Sequence, residues 1–181
     1  MSFLSKIDQV LIDAKTPEQT EVLIKAGADV NAKNNNGYTA LMNATTPEQT
    51  ELLIKAGADV NAKDYGGWTA LMRAKTSEQT NVLIKADADV NAKDNFKRTA
   101  LMNAETPEQT EILLKSGADV NAKDINGYTA LMRAKTPEQK KLIENAIEES
   151  KKPKSQGYSL HSEVIHKVFV PKGAKYEVVF I

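Results

Sequence analysis

Thr-Ala-Leu-Met begins at Thr39, Thr69, Thr99 and Thr129, and Ala-Asp-Val-Asn-Ala-Lys begins at Ala28, Ala58, Ala88 and Ala118. Both motifs recur every 30 residues without slippage, from about residue 14 to residue 139 of a 181-residue chain. Residues 44–73 and 104–133 differ at only seven of thirty positions. A fixed period of this length excludes an ordinary globular fold. Each unit is a single supersecondary element that can bury its apolar face only against its neighbours.

One unit, residues 34–63, shows what that element is. Asn34-Asn35-Asn36-Gly37 is a turn cluster. Thr39 is placed to cap a short helix through Ala40-Leu41-Met42-Asn43-Ala44. In Thr46-Pro47-Glu48-Gln49, Thr46 suits an N-cap, Pro47 the first helical position and Gln49 the third, which predicts a capping box. A second helix follows through Glu51-Leu52-Leu53-Ile54-Lys55-Ala56, and Gly57 is placed to end it in the left-handed region. The first helix is too short to stand alone in water, so its stability must come from stacking.

The sequence Asp64-x-x-Gly67-x-Thr69-Ala70-Leu71, followed by Leu83-Ile84-Lys85-Ala86 and Ala88-Asp89-Val90-Asn91, resembles the ankyrin repeat. The resemblance covers nearly all of residues 1–150. It departs from the family in reading Thr-Ala-Leu-Met where Thr-Pro-Leu-His is usual, and in a period of 30 against about 33. The missing residues fall between the two helices, which implies a shortened first helix and a tight, proline-fixed turn. The implied fold is an all-α repeat solenoid, an ankyrin-like stack of five helix pairs, with units at about 1–33, 34–63, 64–93, 94–123 and 124–150. Two pairs are capping and three internal. In the first, Lys6, Asp8 and Gln9 supply a polar outer side, and in the last Lys140 and Lys141 replace the inner Thr-Glu.

Beyond the array, residues 151–157 are polar and read as a linker. Val164-Ile165-His166-Lys167-Val168-Phe169-Val170 and Tyr176-Glu177-Val178-Val179-Phe180-Ile181 flank the turn signal Pro171-Lys172-Gly173-Ala174, which predicts a β-hairpin over 158–181. Val170-Pro171-Lys172-Gly173-x-Lys175 looks loosely like a strand–turn–strand piece of ADP-ribosyltransferase domains. Ile165 and Lys167 stand where such enzymes carry paired glutamates, so no transferase is expected.

Charge and chemistry narrow the function. Lys plus Arg and Asp plus Glu number 24 each, so no global field gathers nucleic acid or an anionic membrane, and neither is expected as a partner. There is no cysteine, and the two histidines, His161 and His166, have only Glu163 beside them, which does not complete a metal site. No phosphate loop or nucleophile–base set is present. The chain is therefore expected to be non-catalytic and to need no cofactor or metal. With no secretory pattern and no run of about 20 apolar residues, it is expected to be cytoplasmic, and nothing in it bars delivery into a host cell.

What remains is binding. The resemblance implies that a partner protein meets the turn tips and the inner face of the first helices. Variation between the units points the same way, because scaffold positions repeat while tips differ. Tyr38, Trp68, Arg98 and Tyr128 form one column, and Asn43, Arg73, Asn103 and Arg133 another; Tyr65, Phe96, Lys97 and Ile125 sit at the tips. Tyr, Trp and Arg dominate interface energetics. The candidate partner-binding residues are thus Tyr38, Tyr65, Trp68, Arg73, Phe96, Lys97, Arg98, Ile125, Tyr128 and Arg133. The column of rings has a plainer use as packing between adjacent turns. An inhibitor or immunity-type protein is the narrower expectation, and a homo-oligomer assembled through the tail hairpin is the alternative. The third unit and the turn that follows it break the pattern, with Asp87 and Lys97 in place of glycine and Ser77 in place of proline.

Overall fold

A computed structural model describes residues 5–152 of the chain. The expected hairpin over 158–181, residues 153–157 of the expected linker and the His161–Glu163–His166 group lie outside the described residues.

Ten helices in five pairs fill the described residues. The pairs are α1 (Lys6–Asp13) with α2 (Pro17–Lys25), α3 (Ala40–Asn43) with α4 (Pro47–Lys55), α5 (Ala70–Arg73) with α6 (Ser77–Lys85), α7 (Ala100–Asn103) with α8 (Pro107–Lys115), and α9 (Ala130–Arg133) with α10 (Pro137–Lys151). Odd-numbered helices touch in series, even-numbered helices touch in series, and each pair touches internally. The result is two parallel layers of helices with one continuous core between them. Leu41, Met42 and Leu53 of one unit, and their counterparts Leu71, Met72, Leu83, Leu101, Met102 and Leu113, are buried in it. The five expected pairs are all present, and α10 runs one residue into the expected linker.

Local chemistry sets each boundary. Thr46 accepts the Gln49 N–H at 3.1 Å with Pro47 at the first helical position. Gly57, at φ +90°, ends α4 by donating to Ile54 O while Ala58 donates to Leu53 O, the paired bonds of a Schellman motif.

The expected capping box takes a different form. Gln49 Oε1 accepts from Thr45, one residue before the N-cap, at 2.9 Å, and its amide nitrogen crosses into the preceding unit. There it donates to Ala14 O and to Thr20 Oγ1, both at 2.9 Å. Gln79 reaches Ala44 O and Thr50 Oγ1, Gln109 reaches Ala74 O and Thr80 Oγ1, and Gln139 reaches Ala104 O and Thr110 Oγ1. Each threonine hydroxyl in turn donates to a carbonyl one helical turn back, such as Thr20 to Thr16 O. All four glutamines are buried. The residue is thus a seam between units as well as an end for its own helix. An asparagine series makes a second seam: Asn31 donates to Gly57 O and accepts from Asp59 N–H, and Asn61 and Asn91 repeat the pattern one unit on. Asp29, Asp59, Asp89 and Asp119 each cap their own turn by accepting the N–H two residues on, the role their repetition predicts.

Two departures fall at the irregular third unit with the turn that follows it, and at the first unit. Asp87 and Lys97 keep the glycine conformation, at φ +61° and +60°. A Cβ at Gly57 meets nothing within 4 Å, but one at Gly67 meets Asn95 N at 2.8 Å. Lys97 therefore occupies the tighter kind of position. Beside it Thr99 makes no side-chain cap bond to α7, and its hydroxyl is buried without a partner. Lys97→Gly is expected to raise stability by about 1 kcal/mol by removing left-handed strain, read as a melting temperature higher by about 2–4 °C. At the other departure, the first pair is less polar outside than expected. Asp8 does act there, accepting the Asp29 N–H, but Val10 and Val22 are exposed and, with Ala14 and Leu23, line a shallow hollow.

Candidate partner-binding surface

The turns are held by a buried acid. Asp64 Oδ1 accepts the N–H groups of Gly66 and Trp68 at 2.8 and 2.9 Å, and Oδ2 accepts Arg73 at 2.7 Å. Asp124 does the same with Asn126, Tyr128 and Arg133. The Arg133 hydrogen bond holds the Asp124 carboxyl below the usual carboxylate range, against the opposing effect of burial. In the fourth unit the arginine comes from elsewhere: Asp94 is met by Arg98 from the turn itself, through Nε at 2.7 Å and a second nitrogen at 2.6 Å. In the first turn Asn34 stands where the others have the acid; it makes the same two backbone bonds, and no arginine accompanies it. Asn43 instead donates to Ile12 O. The two variable columns thus supply one guanidinium to each buried aspartate and none where the aspartate is absent.

Successive turns are tied through the backbone. Tyr65 N–H donates to Asn36 O, Asn95 to Gly66 O and Ile125 to Phe96 O, at 3.0–3.2 Å. Guanidinium and ring planes fill the space behind them. Arg73 lies 4.2 Å from the Tyr38 ring centroid and 5.3 Å from that of Trp68. Arg98 lies 4.9 Å from the rings of both Trp68 and Phe96, and Arg133 lies 5.7 Å from Tyr128. Such contacts add to the ion pairs because the sites are partly shielded from water.

This geometry divides the ten candidate residues. Tyr38, Trp68, Arg73, Arg98 and Arg133 are half-buried and engaged with one another or with the aspartates. Tyr65, Phe96 and Ile125 are 71, 51 and 54% exposed and stand on consecutive turns. Tyr128 and Lys97 are also exposed. The structure therefore brings the candidates to one edge, with a rigid inner row and an outward row.

Beside that edge, the short helices line a groove of ≈ 600 Å³. Met42, Met72 and Met102 contribute to it, together with Trp68 and the 43, 73, 103 and 133 column. The groove also holds a series that sequence reasoning passed over: Lys15, Thr45, Lys75, Glu105 and Lys135, each at the same place in its unit. The 30-residue spacing carries that signal, but the residues lie at the joint between helices and read as part of the turn. No group of three or more His, Cys, Asp or Glu side chains that could hold a metal occurs among the described residues. No helix among them is long and apolar enough to cross a membrane.

The two-layer stack of helix pairs joined by ordered turns defines a repeat solenoid whose variable edge carries exposed side chains. Residues 10–94 match the family model for ankyrin repeats, in three copies. That stretch consists of ankyrin repeats, and helix-pair units of the same kind continue through α10. Ankyrin repeats are protein–protein interaction modules and typically non-catalytic. A search of curated proteins gave no match.

Proposed function

We propose that the chain is a non-catalytic binding module that holds a partner protein along its turn tips and the inner face of its short helices. One observation carries the reading. Tyr65, Phe96 and Ile125 project from three consecutive turns that the backbone ties together and the aspartates brace. Exposed large side chains on a preorganised edge lose little entropy on binding. A partner held inactive, as an inhibitor or immunity-type protein would hold one, uses the same surface.

The substitutions that test this are Tyr65→Ala, Phe96→Ala and Ile125→Ala made together. Trp68 and Arg98 are poorer choices because both support neighbouring turns. The triple variant is expected to keep the wild-type circular dichroism and melt within about 2 °C of it, since exposed side chains contribute little to folding. Partners captured by the wild-type protein and identified by mass spectrometry are expected to be lost. Capture that survives in the well-folded triple variant sinks the surface.

A further inference from the structure

We infer that the inner groove takes an acidic stretch of polypeptide, with carboxylates facing Lys15 and Lys75. The inference rests on the binding-module reading and names the chemistry of the partner at one part of that surface.

Charge is the first argument. Five cations line the groove (Lys15, Lys75, Lys135, Arg73 and Arg133) against one anion, Glu105. Arg73 and Arg133 are neutralised by Asp64 and Asp124, and Lys135 lies 3.8 Å from Glu105. The Lys15 and Lys75 ammonium groups have no ion-pair partner among the described residues. The groove thus carries a local excess of positive charge.

Hydrogen-bonding capacity points the same way. Arg73 Nε, Asn103 Nδ2 and Arg133 Nε are buried without a partner, and all three belong to groove residues. Each is a donor. Buried donors that no protein acceptor meets are costly, so a ligand rich in acceptors gains when these side chains turn toward it.

The remaining features favour polypeptide over nucleic acid. Glu105 sits in the middle of the lysine series and opposes a continuous line of phosphates. The rings beside the groove are not free to stack on bases, because Trp68 is held between Arg73 and Arg98. Met42, Met72 and Met102 offer an apolar, adaptable floor suited to aliphatic side chains alternating with acids.

The test is fluorescence anisotropy with a labelled peptide of alternating Glu and Leu, at low salt. Lys15→Glu with Lys75→Glu reverses the two free charges, both on exposed side chains; Lys55→Glu with Lys85→Glu makes the same change in net charge on the outer helices. Saturable binding is expected for the wild-type protein and the outer variant, weakened about tenfold or more in the groove variant, as loss of a facing charge pair demands. A peptide of alternating Gln and Leu is expected not to bind. Equal binding by the groove variant, equal loss in the outer variant or equal binding of the Gln peptide would each overturn the inference. So would displacement of the peptide by oligo-dT, or a wild-type dimer in light scattering that the groove variant abolishes. None of these outcomes touches the turn tips, whose own capture experiment stands or falls separately.

Discussion

Gln79→Glu is expected to destabilise the protein by about 3 kcal/mol at neutral pH, although glutamate serves a capping box as well as glutamine does. The carboxylate retains the acceptor that receives the Lys75 N–H. It loses the two donated bonds, to Ala44 O and Thr50 Oγ1, and places a negative charge beside a carbonyl in a buried seam. Burial favours the neutral acid, so the folded-state pKa rises above that of the unfolded chain. The part of the penalty due to ionisation is then absent below the unfolded value, near pH 4, and grows as pH rises above it. Urea unfolding of the wild type and the variant at pH 7 and pH 4 checks both parts. A variant as stable as wild type at pH 7 would mean that the residue only caps its own helix.

The second large effect concerns the braced turns. Asp64→Asn is expected to cost about 2–3 kcal/mol, because it leaves a partly buried guanidinium without its counter-charge. The Arg73 Nε is already without a partner. Arg73→Asn alone is expected to cost about 2 kcal/mol by leaving the Asp64 carboxylate buried without its cation. The second unit shows that the pair can be removed together: Asn34 makes the turn bonds unaided and Asn43 finds a carbonyl. The double variant Asp64→Asn with Arg73→Asn is accordingly expected to recover part of the lost stability, with a coupling of about 2 kcal/mol in a double-mutant cycle. Additive losses would show that the turn does not depend on the pair.

The sequence made the repeat and its punctuation legible because those signals are local. A proline at the first helical position, a threonine before it and a glycine at the helix end act on their own backbone. The glutamine was legible in the same way, and for that reason only half of its role was visible. Its amide reaches a carbonyl 35 residues away, a distance that local motifs do not encode. The candidate surface shows a similar limit. Columns of Tyr, Trp and Arg could be read from the register, but depth could not. Trp68 and Tyr65 lie three residues apart, and one is clasped between arginines while the other faces solvent. The exchange of Arg73 for Arg98 was hidden because a guanidinium reaches the equivalent carboxylates, Asp64 and Asp94, from two different columns. Lys97 shows the reverse, since the cost of a Cβ at a left-handed turn was visible without coordinates.

The glutamine and asparagine seams have a consequence for how such a chain can change. Nearly all their acceptors are main-chain carbonyls or a threonine that every inner unit carries, so one link fits the next whatever its outer side chains are. A segment copied or deleted in steps of one whole link would leave every joint intact, and units as alike as residues 44–73 and 104–133 are what such copying leaves behind. Length and recognition can therefore be altered independently.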